Sequence, residues 1–171
     1  MKIDMRRSGS LQKMLLTEWK HLYNEGRDLK IEWNIMHMYS SVQLAKLLAI
    51  KRSIDPELAA LTAILHDIAT VETMKKEKHA EIAEPYIRKA VERFNNGPGI
   101  KVSIITDDEV EMIIKAVIEH SNKEKHSDDM LTELLKNVDS FDRYLHGIES
   151  DDAYLERCNK AMKELKMEMM V

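Results

Sequence analysis

The sequence has few of the residues that build disulfide-rich, loop-rich or membrane-spanning proteins. Of its 171 residues, one is cysteine, five are glycine and three are proline, and aromatic residues make up 5%. The single cysteine, Cys158, excludes an internal disulfide framework. No N-terminal apolar segment is long enough for a signal peptide or a membrane span. We therefore expect a cytoplasmic protein that does not enter a membrane and has an aliphatic core.

The overall charge is weakly negative, with a formal net charge of -4 at pH 7. A protein of this charge lacks the broad positive field that binds duplex nucleic acid. A small anion held at a metal ion remains compatible with this charge, provided that its binding site is locally positive.

Met, Leu, Ile and Ala recur at helical intervals rather than alternating, which predicts an all-α protein. A chain of 171 residues suits one domain with a substantial core. We predict a single compact domain over residues 1–171, built as a bundle of about six to eight helices. Its core spans about 31–147, with helix 10–24 and helix 153–169 packed on it. The same two terminal helices are candidate surfaces for a homodimer.

Capping residues, prolines and glycines predict where the helices between the two terminal helices begin and end. Asp55-Pro56 is typical of an N-cap followed by proline at the first helical position, and Thr106 with Glu109 predicts a capping box. Pro85 should start or kink its helix, and residues 95–99 (Asn-Asn-Gly-Pro-Gly) are interpreted as a loop rather than a domain boundary. The inner helices are predicted over residues 31–51, 56–67, 79–94, 107–120 and 130–146. Their apolar stripes and those of the two terminal helices include Leu22, Leu47, Ile118, Leu145 and Met169.

His66 and Asp67 close the most apolar run of the chain, residues 58–65. A buried carboxylate costs several kcal/mol unless it is paired or bound to a cation. Four further candidates, His37, His79, His120 and Asp139, lie in or beside other predicted helices. Five of the six have a simpler interpretation: His37 as a core histidine, His79 as an exposed loop histidine, His66 as a helix-end cation with Asp67 as a cap, and Asp139 in a surface salt bridge.

If the six residues converge, they form a metal site. Imidazole and carboxylate suit one or two ions of iron, manganese, cobalt, nickel, zinc or magnesium, whereas a thiolate site is excluded. Six ligands exceed a structural tetrahedral zinc site and favour one octahedral ion with open positions or two ions bridged by a carboxylate. Such a site makes hydroxide available near neutral pH, so the sequence predicts cleavage of a phosphoester or anhydride by metal-bound hydroxide.

The order His37, His66-Asp67, Asp139 resembles the H…HD…D signature of the HD superfamily of metal-dependent phosphohydrolases, over about 31–147. Residues 60–68 are similar to that family's helix ending in His-Asp. His79 and His120 occupy the places of two additional histidines in members that bind two metals, such as bacterial diadenosine tetraphosphate hydrolases. The resemblance implies that His37, His66, Asp67 and Asp139 hold a first ion. It implies that Asp67, which we also predict as the catalytic residue, bridges to a second ion held by His79 and His120.

One position departs from the family pattern. Many members carry a lysine three residues after the Asp, where this chain has Thr70, so we considered Lys75, Lys76 or Lys78 as a replacement. We predict Lys78 and Arg143 as substrate-binding residues, and Asp142 as a carboxylate that supports the metal ligands. The expected partner is a small phosphorylated substrate such as a nucleotide. Two other functions stay open: a di-iron oxygenase of the same fold, and a sensor that binds a nucleotide or metal without turnover.

Overall fold

The computed structural model describes residues 4–97, 102–149 and 151–166. Within these ranges the chain forms eight α-helices and no strand, which confirms the predicted fold class. The helices are α1 (Arg6–Trp19), α2 (Ile31–Arg52), α3 (Pro56–Leu65), α4 (Ile68–Thr73), α5 (Glu84–Asn95), α6 (Asp107–Glu119), α7 (Met130–Leu145) and α8 (Asp152–Glu164).

Helix α3 lies at the centre of the bundle. All ten of its residues are buried, and it packs against α1, α2, α6 and α7. A helix that is apolar all round must be surrounded by other helices, which is why the most hydrophobic segment of the chain takes this place. The Asp55 carboxylate accepts hydrogen bonds from the backbone N–H groups of Glu57 and Leu58, so the predicted N-cap is confirmed.

The ends of the bundle are formed by α1 and α8, which pack mainly on α3 and α7 respectively. An arginine in α1 ties three helices together: Arg7 donates to Glu57 in α3 at 2.8 Å and to both carboxylate oxygens of Glu109 in α6. The predicted capping box between Thr106 and Glu109 is also present. The division of the chain into one domain with a core over 31–147 stays a prediction.

Several predicted helix boundaries are wrong. The first helix begins at Arg6 and ends at Trp19, so Leu22 lies beyond it and is 40% exposed. The predicted helix from His79 starts only at Glu84, because Pro85 occupies its first turn. The residues after Asp67 form a short helix, α4, which lies between the predicted helices 56–67 and 79–94 and was not expected.

The apolar stripes were drawn too wide at their margins. Leu47, Ile118 and Leu145 are 54%, 38% and 54% exposed. In α2, the adjacent Leu48 is fully buried instead, and Leu47 lies on the outward face. Met169, Pro98 and Gly99 lie outside the described residues. Along the part of the chain that the structure describes, no helix combines the length and hydropathy that a membrane span requires.

Candidate metal centre

Six side chains from separate parts of the chain meet at one end of α3. His37 comes from the middle of α2, and His66 and Asp67 lie at the break between α3 and α4. His120 follows the last residue of α6, and Asp139 lies in α7. His79 belongs to the turn that precedes α5. The break after Leu65 matters, because successive residues of an uninterrupted helix point about 100° apart.

Three of the four imidazoles are oriented by the same local hydrogen bond. The Nδ1 atoms of His66, His79 and His120 lie 2.8, 2.7 and 2.6 Å from the carbonyl oxygens of Ala63, Lys76 and Val117. Each of these carbonyls belongs to the residue three positions earlier in the chain. A carbonyl only accepts hydrogen bonds, so Nδ1 carries the proton and the neutral ring presents its Nε2 lone pair.

The fourth imidazole is oriented by a carboxylate. His37 Nδ1 lies 2.5 Å from Asp142 Oδ2, and the Trp33 ring stacks on the His37 ring with centroids 5.4 Å apart. This places Asp142 as a support for His37, as the sequence predicted. A further histidine, His146, reaches the same carboxylate oxygen at 3.6 Å.

One group of donor atoms surrounds the Nε2 atom of His37. It lies 3.0 Å from His66 Nε2, 3.2 Å from Asp139 Oδ1 and 3.5 Å from Asp67 Oδ2. His66 Nε2 is also 3.5 Å from Asp67 Oδ2. These four side chains are the set that the resemblance implied for a first ion.

A second group surrounds the other oxygen of Asp67. Asp67 Oδ1 lies 3.0 Å from His79 Nε2 and 3.8 Å from His120 Nε2, and these two nitrogens are 3.3 Å apart. The two oxygens of Asp67 therefore face different sets of imidazoles. Asp67 would bridge two ions if each of these sets held one.

The donor atoms fit metal ions in both distance and character. Two ligands at right angles around an ion, with bonds of about 2.1 Å, lie about 3.0 Å apart. Two neutral imidazoles that face each other with Nε2 lone pairs at 3.0 Å, as His37 and His66 do, repel unless a cation or proton lies between them. The site therefore has the geometry of a metal centre, whose ligands must be in this deprotonated form.

The net negative charge around the centre also favours the binding of a cation. If the imidazoles are neutral, the formal charge of the centre is -2. It comes from three carboxylates, Asp67, Asp139 and Asp142, and from the Lys123 ammonium, which is buried beside Asp139. Burial opposes the charge of His37, yet its hydrogen bonds to Asp139 and Asp142 raise its pKa to about 10. Burial and the Lys123 ammonium lower the pKa of His120 to about 3. A divalent ion in the centre would supply the positive charge that a proton on His37 otherwise supplies.

The carboxylates of the centre keep their charge despite burial. Burial alone would raise the pKa of Asp67, but the neighbouring imidazoles of His66 and His79 hold it well below its usual range. Burial would likewise raise the pKa of Asp139. The Lys123 ammonium and the hydrogen bond from His37 have the larger effect, so the pKa of Asp139 is also lowered. Both carboxylates are thus in the form that binds metal.

A comparison with known families agrees with this geometry. A sequence model of the HD domain family matches residues 34–146, about two thirds of the chain. The chain belongs to the HD domain family. The matched segment runs from just before His37 to His146 and so contains all six candidate ligands of this HD domain. No curated protein and no solved structure matches the chain.

The family match confirms the predicted membership of the HD superfamily, and the activity stays a prediction. The likeness to diadenosine tetraphosphate hydrolases stays a prediction. The metal-ligand roles of His37, His66, Asp67, His79, His120 and Asp139 likewise stay predictions, although the structure brings all six together.

The HD domain contains a buried lysine, Lys123, that the sequence pattern does not indicate. Lys123 Nζ lies 2.5 Å from Asp139 Oδ2, which leaves Oδ1 of that carboxylate facing the imidazoles. Lys123 follows His120 in a polar run that reads as a solvated loop. Its burial depends on Arg157 in α8, which donates to the Lys123 carbonyl at 2.7 Å and so draws the loop inward. No periodic pattern in the sequence points to this tertiary contact.

The two predicted substrate-binding residues lie in different places. Lys78 is exposed and lies next to His79 at the opening of the centre. Arg143 is half-buried against the ring of Tyr154, and the Lys123 ammonium lies over the same ring. Arg143 therefore connects to Asp139 through Tyr154 and Lys123 rather than to the imidazoles. Thr70, where many family members have lysine, is buried.

Proposed function

We propose that this HD domain is a metal-dependent phosphohydrolase that cleaves a nucleotide or a similar small phosphate ester or anhydride. The observation that carries the proposal is the placement of Asp67. One of its oxygens faces His37 and His66, and the other faces His79 and His120. Two ions held on either side of a carboxylate form the kind of site that clamps the oxygens of a phosphoryl transfer.

When bound, the metal supplies Lewis acidity toward phosphoryl oxygens and lowers the pKa of a coordinated water. The side chains of Asp67 and His79 are 20% and 18% exposed, whereas those of His37, His66 and His120 are at most 2% exposed. Substrate and water therefore reach the centre at Asp67 and His79. There Asp67 would orient a water molecule at the centre, while the buried imidazoles of His37, His66 and His120 stay fixed.

The surface beside this opening suits an anionic substrate. A cleft of about 350 Å³ adjoins His79 and is lined by Lys76, Lys78, Lys125, Ser121 and Asn122, among others. Two glutamates, Glu81 and Glu119, line the same cleft, so its three lysines leave a formal charge of +1 there, in a protein whose net charge is -4. The Lys75 ammonium is instead paired with Asp28 at 3.0 Å, so Lys76 and Lys78 are the better substitutes for the lysine that Thr70 replaces.

The first experiment combines metal content with a substrate panel. Protein purified without added metal is subjected to elemental analysis, and the metal-loaded protein is then offered nucleoside mono- and triphosphates, diadenosine tetraphosphate and an aryl phosphate. We expect bound transition metal and turnover of at least one compound. Loaded protein that cleaves none of them would refute the proposal.

A matched pair of variants tests the role of Asp67. Asp67→Asn keeps the shape of the side chain but removes the bridging charge, and we expect kcat to fall by more than about 100-fold. Asp128→Asn removes an exposed carboxylate outside the centre and should leave kcat unchanged. Circular dichroism of both metal-free variants should match the parent protein. Full activity of Asp67→Asn would exclude a catalytic role for this carboxylate.

The same measurements distinguish the two alternatives. Redox-active iron with oxygen consumption and no phosphate release would identify a di-iron oxygenase. Saturable nucleotide binding that persists in chelator, without turnover, would identify a sensor.

A further inference from the structure

The outward face of α2 carries a stripe of exposed apolar side chains. Met36, Tyr39, Leu47 and Ile50 are 45%, 39%, 54% and 55% exposed, while the opposite side of α2 packs against α3 and α7. Their spacing of three, eight and three residues keeps all four on one side of a helix. They span about 21 Å along the helix axis at 1.5 Å per residue. Several exposed apolar side chains on one helical face mark an interaction site more often than single exposed residues do.

The stripe is symmetrical about its centre. The exposed Gln43 lies in the middle, with Tyr39 and Leu47 four residues away on either side and Met36 and Ile50 seven residues away. If a second α2 is laid antiparallel across the first at Gln43, Tyr39 meets Leu47 and Met36 meets Ile50 on both sides. The two Gln43 amides then meet at the two-fold axis. A surface that matches itself in this way is what a two-fold dimer requires.

The charges at the ends of the stripe complement each other in the same arrangement. Glu32 is exposed in the first turn of α2, and Lys51 is exposed in the last turn. Glu32 lies eleven residues before Gln43 and Lys51 lies eight residues after it. In the antiparallel pair, each Glu32 is therefore about 4.5 Å along the axis from the partner copy's lysine at position 51, a gap that two long side chains span. A parallel pair would place like charges together.

We propose that a second copy of this chain covers the stripe, with the two α2 helices antiparallel and crossing at Gln43. Our sequence analysis pointed to the first and last helices as dimer surfaces. Among the described residues, neither α1 nor α8 carries an exposed large apolar side chain, whereas α2 carries four. The interface is independent of the proposed catalytic activity. One helix pair is smaller than a standard interface of about 800 Å² per partner, so we expect micromolar affinity.

Cysteine cross-linking tests the position of the axis. A residue on a two-fold axis meets its own copy, so Gln43→Cys should form a disulfide-linked dimer under mild oxidation. Met112→Cys, at an exposed apolar site on α6, is the matched control and should stay unlinked. The native thiol does not interfere, because Cys158 is fully buried and burial raises its pKa to about 11. Failure of Gln43→Cys to cross-link at concentrations where the protein is dimeric would overturn the proposed geometry.

Sedimentation equilibrium of the full chain tests whether a second copy covers the stripe. We expect a reversible dimer that Leu47→Asp weakens by at least tenfold and that Met112→Asp leaves intact. Glu32→Lys and Lys51→Glu should each weaken the dimer, and the double variant should recover it. A monomer at several hundred micromolar would overturn the proposal. So would a dimer seen only after removal of residues 167–171, because the terminal segment and not a second copy would then occupy the face in the full chain.

Discussion

Lys123 has its charged end in the interior of the protein, where an isolated ammonium would be costly. Two neighbours stabilise the ammonium: Asp139 at 2.5 Å and the ring of Tyr154 at 5.2 Å. Burial, together with the like charge of Arg157, works against it and lowers the pKa of Lys123, although the Arg157 guanidinium holds the Lys123 backbone carbonyl in place. The ion pair uses only one oxygen of Asp139. The lysine thus fixes which oxygen of this carboxylate faces His37.

Replacing Lys123 should therefore destabilise the metal-free protein. We expect Lys123→Met to lower the free energy of unfolding by about 3–5 kcal/mol, because the buried Asp139 carboxylate loses its partner. Urea unfolding in the presence of a chelator measures this. Lys123→Arg keeps the charge and should recover part of the loss, and Lys89→Met, at an exposed lysine, is the control. Equal unfolding curves for Lys123→Met and Lys89→Met would show that the ion pair between Lys123 and Asp139 does not contribute to the free energy of unfolding.

A second prediction at this scale concerns the carboxylate that orients His37. Asp142→Asn keeps an acceptor for His37 Nδ1 but removes its negative charge, which makes His37 a weaker ligand. We expect metal affinity to fall about 10- to 100-fold, as for other groups that support metal-bound histidines. Competition with a chelator of known affinity measures the change. An affinity equal to that of Asp128→Asn would contradict the proposed role of Asp142.

At the scale of helices, the centre depends on where elements stop. His66 and His120 are the residues directly after α3 and α6, and their backbone angles are nearly identical, with φ of -63° and -64°. Both rings therefore turn back onto their own helix in the same way. Arg7 fastens α1 to the starts of these same two helices through Glu57 and Glu109.

The Arg7 cluster should make stability depend on acid pH. Burial opposes the charge of Glu109, but hydrogen bonds from Arg7 outweigh it and lower its pKa below 4.5. The unfolded chain thus binds this proton more readily, so the stabilisation is complete above pH 4.5 and is lost as the pH falls through the lower folded value. We expect Arg7→Met to remove this part of the acid dependence in urea unfolding between pH 3 and 6. Arg6→Met, at an exposed arginine, should retain it.

The sequence was a good guide to the helices and to the His and Asp residues that meet at one place, and a poor guide to loops. Asp55-Pro56 and the Thr106 capping box act through local hydrogen bonds, so their residues alone predicted them. The six candidate ligands could be named because buried His and Asp in apolar helices are costly without use. The short helix α4 and the burial of Lys123 depend on tertiary contacts, the latter with Arg157 more than 30 residues away. Such contacts leave no periodic pattern in the chain.

At the scale of the whole molecule, the candidate centre connects segments that lie far apart in the sequence. Residues from α2, the break between α3 and α4, the turn before α5, the end of α6 and α7 all contribute donor atoms. The unfolded chain holds no such arrangement, so metal binding stabilises only the folded state. The bound metal should therefore act as a cross-link of the bundle.

Metal removal should lower the melting temperature. At a free metal concentration 100 times the dissociation constant, binding adds about 2.7 kcal/mol, which corresponds to a rise in Tm of about 5–10 °C for a protein of this size. Differential scanning calorimetry with metal and with chelator measures the difference. We expect Asp67→Asn to lose most of it, since both groups of donors share Asp67. A Tm that is unaffected by chelator in protein shown to contain metal would contradict this account.

The hydrogen bonds of His66, His79 and His120 to the carbonyl three residues earlier have a consequence for how freely this architecture can vary. Each ring is aimed by its own four-residue turn and needs no distant partner for its direction. Connecting segments, such as the one between α5 and α6, can therefore lengthen or shorten without misdirecting a ligand, provided that the helices still meet. Each of these turns sets the direction of its own ligand, so grafting them onto other helical bundles is a practical route to new metalloproteins.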